Sequence, residues 1–449
     1  MITRITTARS VDRSSVTIVL VMKNFRNRWL PVGAWVFVLY TSIPFVRRLR
    51  ELFVAHWSPA LIGYGVIATV LLATAGALVS VRRSPRPLTA ADVVWLLGVG
   101  ATLVLWTNHL MGQPEEAIHF LEYGLLGFLL FRALQPQIQD VSVFLAAALV
   151  GVLVGTLDEF IQWIVPGRYW DFRDIVLNAG ACVLTLVAVW RLAPRPSATV
   201  GARSLRVLCR LAAAEIALLT LCLSATPARI ERLTPRLPGL ANAAGNTDAI
   251  CEYGHRHRLD STTSFRSRLT LDQLTREDTT RAESVAGLLD NSRRAYDKFL
   301  DAVSPVADPF SYEARVHLFA RDRNLARARK LAPGTPAYEE RMTVAFRENL
   351  ILENFFGETL ARSSFQWRKA LREKAATAQN REARFISNVA GHLITAVSEP
   401  HLRMLMLVAL CTLMVCDLLL RRSLTRPQKE QSPAQKGRTR GRIGPGTRG

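Results

Sequence analysis

Runs of about 20 apolar residues recur along this chain, and each is long enough to cross the hydrocarbon core of a bilayer as a helix. Eight are read, at about 29–46, 60–81, 91–112, 116–134, 141–165, 174–193, 207–226 and 402–420. They are continuous and lack the period-two alternation of strands, so a membrane sheet is excluded. A soluble monomer is excluded as well. Between the seventh and eighth runs lies a polar block of about 170 residues, 227–400, which is too long and too charged for a simple bundle of membrane helices. The expected fold class is therefore all-α: a polytopic membrane bundle of about eight spans, with a mostly helical domain inserted between spans seven and eight.

Charge then orients the bundle. Lys and Arg number 57 against 36 Asp and Glu, for a net charge of +21. About 23 of the basic residues fall in the N-terminal segment, the second, fourth and sixth loops and the tail, against about 5 in the first, third and fifth loops. Basic loops stay on the cytoplasmic side, and long translocated domains escape this rule. Both termini are thus expected in the cytoplasm and residues 227–400 outside, in a multi-pass plasma-membrane protein. The first 30 residues carry no cleavable signal, so span one is expected to start insertion. The chain divides into a basic cytoplasmic segment (1–28), a membrane domain (29–193), a loop with the seventh span (194–226), the exoplasmic block (227–400), a last span (401–420) and a basic tail (421–449). Six cysteines occur without a CxxC pair, which argues against a disulfide framework or a zinc ribbon.

Ionisable residues inside membrane helices are costly and usually face a bundle interior or a water-filled cavity. Here they are grouped. His119, Glu122 and Tyr123 open span four; Asp158, Glu159 and Gln162 close span five; Arg168, Asp171, Arg173 and Asp174 follow in the loop; Asn178 opens span six. With alternating helix directions, all fall at one depth near the outer end. His119 and Tyr123, Asp158 and Gln162, and Asp174 and Asn178 are each i,i+4 pairs that share a helix face. Three polar stripes can therefore converge on one pocket, with the Pro166-Gly167 turn bringing Arg168 over the helix ends. Acids outnumber bases in this set, which leaves room for a cation, a proton or a cationic ligand group.

The pattern HFLEYGLLGFLL followed by DEFIQWIVPGRYWDFRDIVLNAGA resembles the VanZ-like family, on His119, Phe120, Tyr123, Asp158, Glu159, Gln162, Pro166, Arg168, Asp174, Asn178 and Gly180. The resemblance covers about residues 29–193 and is sharpest over 119–180. It implies a membrane protein of the bacterial envelope, associated with teicoplanin-type glycopeptide resistance, in a binding or accessory role. It names no reaction and does not extend to the polar block.

Three other readings stand beside this one. The cluster can be structural glue, since interhelical polar contacts contribute roughly 0.6–2 kcal/mol each. It can be an intramembrane enzyme site acting on a lipid-linked envelope substrate, with His119 and the carboxylates as acid and base. Asp158 and Glu159 point about 100° apart on a helix, however, and no HExxH, GxSxG or P-loop pattern occurs. A transporter is the third reading. No cofactor and no metal site are expected. His109 could join the cluster, and His255 with His257 has i,i+2 spacing that more often marks a solvated face.

The expected partner is the lipid bilayer, together with anionic lipid or an envelope polymer. In the block, Tyr338, Met342, Phe346 and Leu350 recur at every fourth position as a core face. Arg323, Arg327 and Lys330 read as a solvated face and 227–247 as a linker. Helix is expected almost unbroken from Tyr338 to Glu399, with interruptions near Gly357 and Ser363. The tail is expected to be disordered and to meet anionic lipid. Nucleic acid is not an expected partner, because the basic residues have neither interleaved aromatics nor a fold.

Overall fold

The computed structural model describes residues 13–83, 87–165, 170–194, 196–240 and 251–425. Fifteen helices and one small sheet are present among them. The membrane part consists of α1 (Arg13–His56), α2 (Ala60–Arg82), α3 (Ala90–His109), α4 (Ile118–Leu134, preceded by a 3-10 turn at Pro114–Ala117), α5 (Ser142–Ile164), α6 (Phe172–Leu192) and α7 (Ala202–Leu223). After the short α8 (Pro227–Leu233) and the polar unit, α15 (Glu399–Thr425) ends the described chain.

Seven of these helices are individually long and apolar enough to cross a membrane. The eighth expected span differs. α7 carries Arg203, Arg206, Arg210 and Glu215, and it qualifies only together with α8, which meets it at 88°. The apolar run at 207–226 thus ends at Leu223 in a sharp bend, and 227–233 is helix rather than linker. Large apolar side chains such as Leu72, Phe37 and Leu105 stay 67–73% exposed, as suits a surface covered by lipid rather than water. The chain is a membrane protein.

α4, α5 and α6 form the centre of the bundle, with α1 against α4 and α5, α3 against α6, and α2 on α3. Close approach here rests on small residues. A Cβ on Gly127 of α4 would lie 2.9 Å from Cys182 Sγ of α6, and one on Gly151 of α5 would lie 2.6 Å from the same sulfur. Gly155, four residues on, lies against Asn178 in the same way, at 3.1 Å from its Cβ. α7 packs on α5, and α15 packs on α7. The core is filled by Phe120, Leu126, Leu130, Ala146, Ala147 and Leu177.

One end of this bundle is tied by acids that are paired or hydrogen-bonded. Asp92 caps α3 in a capping box with Thr89, and Arg191 of α6 reaches it at 2.6 Å. Arg206 and Arg210 of α7 pair with Asp417 of α15, each at 3.1 Å. Asp140, in the loop between α4 and α5, accepts from Ser142, from the backbone N–H of Gly201 and from Ser204. Burial raises its pKa, but these hydrogen bonds outweigh burial and hold the carboxyl below its ordinary value.

The polar unit sits at the opposite end. It comprises β1 (His255–Arg258), β2 (Thr263–Ser267), α9 (Leu271–Asn291), α10 (Tyr296–Ala302), α11 (Pro309–Ala328), α12 (Pro336–Phe355), α13 (Gly357–Arg362), α14 (Lys369–Ala378) and β3 (Phe385–Ile386). Helix starts follow local chemistry: Thr270 and Gln273 form a capping box on α9, and Asp308-Pro309 and Thr335-Pro336 cap α11 and α12. Tyr338, Met342 and Phe346 are buried as their spacing predicts, and Arg323, Arg327 and Lys330 are exposed.

The unit is mostly helical as expected, with a small sheet beside its helices, and one expectation fails. A three-stranded sheet is present, with β1 and β2 antiparallel and β2 and β3 parallel. The stretch from Gln379 to Ser398 is not helical, because it returns as β3 and turns that pair with the sheet. The unit meets the bundle where Trp163 and Phe160 of α5, Trp170, Ala225 and Ile230 pack together. Tyr253 Oη also donates to the Leu223 carbonyl at 2.9 Å, and Arg229 pairs with Glu399 at 2.7 Å.

Candidate functional site

At the end of the bundle that carries the polar unit, a cavity of about 580 Å³ opens between α1, the 3-10 turn, α4, α5 and the start of α6. His119, Glu122, Asp158, Gln162, Asp171 and Asp174 line it. The polar stripes of three helices therefore meet in one place. Alternating direction brings the start of α4, the end of α5 and the start of α6 to the same depth.

Three further sequence-predicted residues form the wall behind. Tyr123 is fully buried and donates through Oη to Asp158 Oδ2 at 3.0 Å. Gln162 Nε2 bridges Asp158 Oδ2 at 3.3 Å and Glu159 Oε1 at 3.1 Å, so one amide holds two carboxylates that diverge along the helix. Glu159 is fully buried and also accepts from the backbone N–H of Asp171 at 3.3 Å, which fixes the entry into α6. Asn178 is fully buried against Gly155, and neither of its amide atoms has a hydrogen-bond partner among the described residues. Arg168 lies outside the described residues. His109 is exposed at the end of α3 and does not line the cavity.

The structure adds groups that sequence reasoning missed. α1 contributes Ser42, Arg47 and Arg50, and the turn before α4 contributes Gln113, Glu115 and Glu116. Arg50 pairs with Glu115 at 2.8 Å and Arg173 with Glu116 at 2.6 Å. α1 is held in place by side-chain bonds into the core: Trp35 Nε1 donates to the Glu122 carbonyl at 2.9 Å, and Tyr40 Oη donates to the Val154 carbonyl at 3.0 Å. Deeper in the bundle, Thr156 donates to Glu215 Oε1 at 2.8 Å, while Glu215 Oε2 has no hydrogen-bond partner among the described residues.

The electrostatics differ from those at the far end, where each acid has its own base or a full set of donors. Six carboxylates line the cavity against two guanidinium groups, those of Arg47 and Arg50. Counting Glu159 behind the wall and Arg173, which pairs with Glu116, acids lead by seven to three among the described residues. Such a cavity attracts cationic groups by field alone. No group of three or more His, Cys, Asp or Glu side chains is arranged to hold a metal ion among the described residues. His257 Nε2 lies 2.9 Å from the Leu269 carbonyl, and His255 is exposed beside it.

Residues 102–193 match the model of the VanZ/LLP1 family. No curated protein and no solved structure matches the chain. The matched segment runs from the second half of α3 through α6 and contains all eleven residues of the sequence-predicted cluster. It stops short of α1, which supplies the two cavity-lining arginines. Residues 102–193 of this chain are thus a VanZ-like domain.

Proposed function

We propose that this protein is a multi-pass component of the bacterial plasma membrane whose VanZ-like cavity binds a ligand of the cell envelope, in a binding or accessory role linked to teicoplanin-type glycopeptide resistance. The observation that carries the reading is the acid-rich cavity of about 580 Å³, a volume typical of ligand sites. Its wall is built and braced, with buried Tyr123, Glu159 and Gln162 holding Asp158 and the start of α6 in position. The basic loops at the other end of the bundle support cytoplasmic termini and an exoplasmic cavity and polar unit.

The test expresses the protein and its Asp158→Asn and Asp174→Asn variants in a teicoplanin-susceptible host. The proposal expects raised teicoplanin tolerance with the parent chain, and loss of that tolerance in the variants at unchanged membrane abundance. Tolerance that survives both substitutions contradicts it. Reporter fusions near Ala302 and Gly444 test the topology, with an exported signal expected at the first site and a cytoplasmic signal at the second.

A further inference from the structure

The cavity is not uniformly acidic. Arg47 and Arg50 stand at its rim with 61% and 48% of their side chains exposed, whereas Glu122 and His119 are exposed by only 27% and 15%. Asp158 is buried deeper still. The surface thus runs from a cationic rim to an acidic floor. The rim ion pairs, Arg47 with Glu51 at 3.2 Å and Arg50 with Glu115 at 2.8 Å, are exposed, and such pairs exchange partners readily. On the floor, the Glu122 carboxylate is paired only with His119, at 3.6 Å, among the described residues. Next to the rim on the same helix, Phe45, Leu49 and Leu52 are 57–61% exposed, an apolar strip of the kind acyl chains cover.

We propose that the cavity takes the head group of a zwitterionic phospholipid that bears a primary ammonium, of the phosphatidylethanolamine class. The ammonium sits among Glu122, Asp158 and Asp174, the phosphate faces Arg47 and Arg50, and the acyl chains lie along Phe45 and Leu49. A primary ammonium offers three N–H donors and can serve several carboxylates together, whereas a trimethylated one offers none. An anionic head group without an amine meets six carboxylates and has only the rim to bind. This assignment rests on the reading of the cavity as a ligand site. Its rim comes from α1, outside the segment that matches the family model.

The experiment uses the purified full chain in detergent and titrates short-chain phosphatidylethanolamine, phosphatidylcholine and phosphatidylglycerol, reading thermal stabilisation and retention in native mass spectra. Phosphatidylethanolamine is expected to bind at least about tenfold more tightly than the other two, the value of one charge-assisted hydrogen bond. Glu122→Gln is expected to abolish that preference. Arg50→Gln, at the exposed rim and away from the buried cluster, is expected to weaken phosphatidylethanolamine binding with the fold intact. Free phosphoethanolamine is expected to compete weakly, because it lacks the chains. Equal binding of all three lipids, or a preference that survives both substitutions, overturns the assignment. If Asp158→Asn loses teicoplanin tolerance while the parent chain shows no lipid preference, the head-group assignment fails and the ligand-site reading stands.

Discussion

Gly127 and Gly151 both face Cys182, but they face different parts of it, and this separates two kinds of helix contact. Added at Gly127, a Cβ would lie 2.9 Å from Cys182 Sγ, 3.1 Å from its carbonyl oxygen and 3.3 Å from its Cα. Added at Gly151, it would lie 2.6 Å from Sγ and 3.4 Å from Cβ, with no backbone atom among its nearest neighbours. Comfortable carbon contacts are about 3.5–4.0 Å, so both alanine variants force movement of several tenths of an ångström. Overpacking of this size costs about 1–3 kcal/mol.

The rescue differs between the two. Cys182→Ala removes the sulfur and is expected to restore most of the stability of Gly151→Ala, but little of that of Gly127→Ala, whose clash with the α6 backbone persists. Gly98→Ala, with nothing within 4 Å, serves as the neutral control. Thermal unfolding in detergent, followed by size-exclusion chromatography, measures all of these. Equal rescue of both glycine variants, or wild-type stability of Gly127→Ala, refutes the close-packing account of α4 on α6.

Other predictions follow the polar contacts. Arg191→Ala removes the guanidinium at 2.6 Å from buried Asp92 and is expected to lower stability by about 3 kcal/mol, the low end for a broken buried pair because Thr89 still donates; thermal unfolding checks it. Asn178→Ala removes an amide that makes no hydrogen bond among the described residues, so stability is expected to change by less than about 1 kcal/mol. A much larger loss on the same scale would reveal a partner. In the polar unit, burial raises the pKa of Glu252, but hydrogen bonds from His392 and Arg268 and the Arg268 charge bring it below its ordinary value. That stabilisation is complete above the unfolded value of about 4.3 and is lost as pH falls through the lower folded value. Acid titration of tryptophan fluorescence is expected to show this loss, and Arg268→Gln is expected to weaken the acid dependence.

Much of the membrane fold was legible because its signals are long and local. Apolar run length marks the spans, and i,i+4 pairs such as His119 with Tyr123 and Asp158 with Gln162 mark the faces that converge. Arg47 and Arg50 were not legible as site residues. In sequence they resemble any loop charge, and only the packing of α1 on α4 and α5 sets them at the cavity rim. Glu215 was hidden for a similar reason, since its partner Thr156 lies 59 residues away on another helix. The sheet escaped because β1 reads HRHR, with no apolar alternation, and only Phe265 of β2 enters the core as a large apolar side chain. Helical spacing over 379–398 was a false signal. Thr343 Oγ1 accepts from Asn380 N–H, and Ser387 Oγ donates to Glu348, so long-range side-chain bonds outweigh local propensity there.

The convergence of α4 and α6 on one cavity is the claim on which the site depends. Glu122→Cys and Asp174→Cys, combined in a background without the native cysteines, place one thiol on each helix facing the same space. A short bifunctional thiol reagent added to membranes is expected to link the two, detected as a cross-linked peptide pair by mass spectrometry. Labelling of each thiol singly, with no linked pair, would mean that the two residues do not share a cavity.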